Sequence, residues 1–206
     1  MDYQIKQMIG DEETHRYVLA SRCTKHLVVI GVNPSTANEK YPDPTVRKVM
    51  GFAELKNYDG FVMLNLYAQR STNFKGVHNK RDEILHQNNL DAIREFFKTY
   101  SELDVLVAWG NLISKRNYLL DCFRDIANVL QEQERKISWK QIGELTKSGH
   151  PRHPLYARYD FGLKNFDIDS YLYKIHISII PRNCMKQILG LIAISSNASL
   201  ALFVLA

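Results

Sequence analysis

The chain has 206 residues, 45% hydrophobic, 11% aromatic and 24% charged, proportions that exclude a disordered or collagen-like polymer and suit one domain with its own core. The net charge of +5 leans toward anionic partners such as nucleic acid or phosphorylated metabolites. Cys23, Cys122 and Cys184 are odd in number, widely spaced and without a CxxC pair, which speaks against a disulfide framework or a zinc site, so neither metal nor cofactor is expected.

The opening residues, MDYQIKQMIGDEETHRY, lack the apolar run of a secretory signal, and a reducing, cytoplasmic location is expected. Tyr17 to Arg22 alternates and could form an antiparallel edge strand. Leu27 to Val32 is nearly continuous in aliphatic residues and too short for a helix, the pattern of a buried parallel strand. A helix follows, with Asp43 as N-cap and Pro44 at its first position; Val46, Val49, Met50 and Ala53 share its inner face. Phe61 to Leu66 repeats the strand pattern, and Leu90, Ile93 and Phe97 mark the next helix. Val105 to Trp109 is a third parallel strand, before a helix from about Ser114 to Leu130 with Leu119, Cys122, Phe123, Ile126 and Leu130 inward. A fourth strand is expected near Gln141 to Thr146, after the charged stretch Gln131 to Lys136.

This alternation predicts a three-layer α/β/α fold around a mainly parallel four-stranded sheet. No repeat or linker divides it, and residues 1–172 are expected to fold as one domain. Residues 173–206 form an atypical apolar tail. Within it Ile188 to Ala206 carries no charge and is just long enough to cross a bilayer. Ser195, Ser196, Asn197 and Ser199 interrupt that segment, so a membrane anchor is not expected.

Ligands of open parallel sheets bind beyond the carboxyl ends of the strands. There the first strand runs into GVNPSTA, offering Asn33 and Ser35, and the second into LNLYAQR, offering Asn65, Tyr67, Gln69 and Arg70. The third ends AWGN, with Trp109 and Asn111, and the fourth leads to GHPRHPLY, with His150, Arg152 and His153. Each has a structural reading too: Asn33–Pro34 is turn chemistry, Asn65 could cap a strand through neighbouring backbone, and Trp109 and Gly110 could serve packing and turning.

In order, these motifs resemble a bacterial family of unknown function, DUF1643, whose members read GxNPSxA, NL, AWG and GxPxHPL. Asn33 to Ala37, Asn65 to Leu66, Ala108 to Gly110 and Gly149 to Leu155 carry the match. That family is in turn similar to the uracil-DNA-glycosylase superfamily: GVNPS to its water-activating loop in the GINPG form, LN to its base-reading loop, VLVAWG to a strand written LLLWG, and HPRHPL to the HPSPL loop. Here Ser35 replaces Gly or Tyr, and HPRHPL leaves open whether His150 or His153 takes the histidine role.

The resemblance implies a uracil-DNA-glycosylase-like fold and a base-releasing N-glycosylase acting on nucleic acid. Asn33 would orient the attacking water, His153 or else His150 would donate to the departing base, and Asn65 would read the base edge. Tyr67 or Tyr41 would stack, and Ser35, Arg70, Asn111 and Arg152 would contact the ligand, with Arg158 and Lys147 as further phosphate contacts. The alternatives are a non-catalytic nucleobase- or nucleotide-binding module and a hydrolase of free nucleosides or nucleotides.

Overall fold

The computed structural model describes residues 1–179. It divides into two units, Met1–Phe166 and a second beginning at Asp167. The first holds seven strands: β1 (Ile5–Gly10), β2 (Arg16–Ser21), β3 (His26–Gly31), β4 (Gly60–Asn65), β5 (Glu102–Val107), β6 (Lys136–Ile142) and β7 (Leu163–Asn165). Its helices are α1 (Pro44–Glu54), α2 (Glu83–Phe96) and α3 (Tyr118–Gln131). The described part of the second unit is α4 (Ile168–Ile179), preceded by Asp167, whose carboxylate accepts the backbone N–H of Ser170 at 2.9 Å.

The sheet order is β1-β2-β4-β3-β5-β6-β7. Its centre, β4-β3-β5-β6, is parallel, with Val28 level with both Val62 and Val105, and Val105 level with Trp139. Those central strands read as apolar runs because both faces are covered. Leu27, Val29, Phe61, Met63, Leu106, Ala108 and Ile142 form one core cluster with Val46, Val49, Phe52 and Ala53 of α1. Residues of opposite parity face the other side, where Phe123 of α3 packs on Trp109 at 4.4 Å and on Trp139 at 6.2 Å between ring centroids. Helix α2 lies beside α3, joined by His86–Asp125 at 2.9 Å and Arg94–Glu132 at 3.0 Å.

The expected four-stranded sheet is therefore corrected to seven strands. The four parallel strands are its centre, and antiparallel strands are added at both margins. Tyr17 to Arg22 corresponds to β2, which is antiparallel but not an edge, because β1 pairs outside it. The fourth parallel strand starts at Lys136, inside the stretch read as charged, and stops at Ile142 because Gly143 takes φ +54° and turns the chain out of the sheet. Alternation explains this: Trp139 faces inward on one side of a strand whose other positions tolerate Lys136 and Lys140. The third strand ends at Val107, since Trp109 is already helical in backbone and Gly110 has φ +64°. A 3-10 segment, Gly110–Lys115, occupies the expected start of the third helix. The helix that opens at Pro44 begins as expected, with Asp43 Oδ1 accepting the Val46 N–H at 2.8 Å.

No helix among the described residues is long and apolar enough to cross a membrane. The segment Ile188 to Ala206 and Cys184 lie outside the described residues. Because all seven strands and all four motif loops precede Asp167, residues 1–172 alone are expected to unfold in one cooperative thermal transition. Calorimetry of the truncated chain checks this, and an aggregated product would show that the tail supplies core.

Candidate functional site

The four parallel strands deliver their carboxyl-end loops to one edge. From β3 the chain passes through α1 to β4 on one side, then through α2 to β5 on the other. The connection reverses direction between β3 and β5, and the loops leaving these two strands go to helices on opposite faces. Such a switch point leaves a crevice between the diverging loops. Asn33 stands on its β3 side and Trp109–Gly110 on its β5 side.

Asn33 is half-buried and its amide nitrogen is fixed, donating to the carbonyls of Pro34 at 3.0 Å and Ser71 at 2.9 Å. With Nδ2 so held, Oδ1 is the end left over, and no donor among the described residues reaches it. The loop is pinned from below: Ser71 N–H donates to Pro34 at 2.9 Å, and Arg70 spans Asp11, Ser35 and Ala37 carbonyls at 2.8, 2.7 and 3.1 Å. Arg16, which sequence reasoning passed over, is 1% exposed and also donates to Ala37, at 2.8 Å. Burial, with Arg70 nearby, pulls its pKa down to about 10. No local pattern marks it, since its partner lies far along the chain.

On the β5 side, a Cβ added to Gly110 would sit 3.0 Å from the Cβ of His153, so the AWG glycine provides both a positive φ and the space against which His153 packs. His153 Nδ1 accepts the Leu155 N–H at 3.3 Å, which leaves the neutral ring's proton on Nε2. Burial lowers the pKa of His153, opposed by the Asp43 carboxylate. His150 is differently placed: its Nε2 meets Ser114 Oγ at 2.7 Å, and its backbone N–H donates to Thr146 Oγ1 at 3.2 Å. Burial lowers its pKa as well. Thr146 also donates to Asn111 Oδ1 at 2.7 Å, so His150, Ser114, Thr146 and Asn111 tie the fourth loop to the third.

Three residues assigned ligand contacts are turned into the protein. Asn65 is 1% exposed and lies over Gly31, its neighbour in register; with its amide nitrogen toward the loop it is 3.3 Å from the Asn33 and Leu64 carbonyls. Tyr67 is fully buried, its hydroxyl 2.7 Å from His78 Nδ1 and accepting the Asp82 N–H at 3.0 Å, where it steadies the start of α2. Arg70 is taken up by carbonyls as described. Ser35 offers its carbonyl to Arg70, Arg152 Nε donates to Glu144 O at 2.8 Å, and Tyr41 is 70% exposed. Asn33 and His153 therefore flank the switch point, whereas Asn65, Tyr67 and Arg70 lie beneath the first loop.

The pattern of the DUF1643 family, described as a protein of unknown function, matches residues 16–155. The chain belongs to this family. The DUF1643 match spans β2 through the His153 loop, and so contains both sides of the switch point. Comparison with curated proteins and with solved structures found no match. Among the described residues no group of three or more His, Cys, Asp or Glu is arranged to hold a metal ion. A separate cavity of about 410 Å³ opens at the opposite edge, lined by Thr24, Lys25, His26, Tyr100, Glu102 and Asp104 among others. It is remote from the DUF1643 motifs, and its lysines and carboxylates balance.

Asp43 links the two halves of the edge electrostatically. Its charge acts on His153, Arg16 and Arg70, a role hidden in sequence behind its use as a helix cap. Asp43→Asn keeps a side chain that caps equally well but removes the charge. Loss of a nearby anion disfavours the imidazolium, so the His153 pKa is expected to fall further in this variant with helix content unchanged. An NMR titration of the His153 ring reads the shift directly, and an unchanged midpoint would dismiss the coupling.

Proposed function

We propose that this protein is a nucleobase-recognising, N-glycosylase-like hydrolase acting on nucleic acid, on a uracil-DNA-glycosylase-like arrangement of loops, in the cytoplasm. The observation that carries the reading is the pair of polar ends at the switch point that no hydrogen-bond partner among the described residues engages, Asn33 Oδ1 as acceptor and His153 Nε2–H as donor. Breaking the bond between the sugar C1′ and the base nitrogen sends the electron pair to the base and leaves cationic character on the sugar. Water then bonds to C1′ through its oxygen and releases a proton to the departing base or to solvent. Asn33 Oδ1 would accept a hydrogen bond from that water, and His153 would donate to the base carbonyl oxygen as charge gathers there. An amide cannot take the proton as a carboxylate would, so turnover is slow. His153 fits the donor role better than His150, whose Nε2 faces Ser114.

One observation favours a second reading, a nucleobase-binding module without chemistry: Asn65, Tyr67 and Arg70 are engaged by the protein itself. Uracil-, hypoxanthine- and mismatch-containing oligonucleotides offered beside free nucleosides separate the readings. Base release from oligonucleotides supports the hydrolase, release only from nucleosides moves the substrate to small molecules, and saturable binding without product leaves the module.

A further inference from the structure

Four aromatic side chains of the first unit stand exposed among its described residues, and three of them, Tyr156 (84%), Tyr159 (41%) and Phe161 (37%), fall within six residues of one another just after His153. Tyr156 is the nearest to the proposed site, its ring 5.7 Å from that of His153. The other two carry cations: Lys48 Nζ lies 4.1 Å from the Tyr159 ring centre, and the guanidinium carbons of Arg152 and Arg158 lie 5.1 and 6.0 Å from that of Phe161. Asp160 offsets Arg158 through an ion pair; Lys48 donates to the Ala157 carbonyl at 2.8 Å, and Arg152 acts on the Glu144 carboxylate without an ion-pair contact to it among the described residues. Single exposed aromatics are ordinary on a protein surface. A run of them interleaved with cations, continuous with a site, presents π-faces to bases and positive charge to phosphates.

We infer that the segment from His153 to Phe161 is a platform for single-stranded nucleic acid, with Tyr156 stacking on the base next to the one held at His153. Phosphates of the continuing strand run past Lys48, Arg152 and Arg158. The inference rests on the nucleic-acid reading of the site and narrows it to an unpaired strand. A duplex keeps its base faces stacked on one another and offers Tyr156 none.

The test is fluorescence anisotropy with labelled oligo-dT and oligo-rU of ten nucleotides, the corresponding duplex, and the mononucleotide as competitor, for the full chain, Tyr156→Ala, Tyr156→Trp and Arg152→Gln. The single strands are expected to bind more tightly than duplex or mononucleotide. Tyr156→Ala should weaken binding by about 5- to 100-fold, Tyr156→Trp should retain it, and Arg152→Gln should flatten the salt dependence by about 0.7 in log–log slope. A duplex or mononucleotide bound as tightly as the strand, or full affinity in Tyr156→Ala, would overturn the platform. A preference for DNA or RNA identifies the source of the strand. Base release from free nucleosides without strand binding would defeat the platform and leave hydrolysis standing, while strand binding without any base release would do the reverse.

Discussion

Asn33→Ala and His153→Ala are each expected to slow base release by about 10- to 1000-fold, the range for losing a placed water or a donor to developing charge. Each should also lower stability. Asn33 Nδ2 serves the carbonyls of Pro34 and Ser71, so its removal should also cost about 1–2 kcal/mol of folding free energy, too little to unfold an ordinary domain. His153→Ala removes the acceptor for Leu155 N–H together with a half-buried ring beside Tyr156, and should cost about 1–3 kcal/mol. His150→Ala loosens the tie to Ser114 and should affect rate less than His153→Ala. Single-turnover base release, ligand binding and thermal melting on the four proteins decide the matter. Equal rates for wild type and Asn33→Ala, with the fold intact, would sink the shared site, and a larger loss in His150→Ala than in His153→Ala would reassign the donor.

Trp109→Ala should unfold more readily than any of these, losing about 3–5 kcal/mol, a large share of a typical total of about 5–15 kcal/mol. The indole is fully buried, 4.4 Å from Phe123 and 6.4 Å from Phe166 between ring centroids. It fills the space between the end of β5 and α3, and the neighbouring backbone is held by Ala108 N–H donating to Ile30 at 2.9 Å. Removing it leaves a cavity that rigid strands on either side cannot close. Urea denaturation should show a lower midpoint at similar slope, with Trp109→Phe intermediate. Undiminished stability combined with lost ligand binding would instead make the AWG tryptophan a ligand contact.

How far the sequence reaches is clearest where both faces of a strand are buried. Continuous aliphatic runs at Leu27, Phe61 and Val105 reveal parallel strands because burial on both sides demands apolar residues at every position. Asp43–Pro44 reveals the start of α1 because capping is local. The convergence of four loops follows from parallel topology alone, and the motif order within those loops was enough to reach the DUF1643 family. Strand β1 was not legible: an edge strand covered on part of one face needs little apolar content, and its burial alternates irregularly between half-buried and exposed. Strand β7 has three residues, too few for any periodicity.

Tertiary structure alone decided which way the polar side chains point. Asn65 shares the parity of Phe61 and Met63, so it turns toward the α1 side over Gly31, a consequence of register with β3 that no local pattern carries. Tyr67, Arg16 and Arg70 are bound to groups well separated in sequence, such as Asp82, Ala37 and Asp11. His150 and His153 are two proline-flanked histidines in one loop and look alike in sequence. Ser114 from the preceding loop and the close approach of Gly110 tell them apart. Composition and periodicity determine which residues must be buried and where the chain turns, because those are one-dimensional demands of solvent and backbone. Which polar ends remain free for a ligand depends on hydrogen bonds between distant segments, and these exist only once the sheet has brought its carboxyl-end loops together.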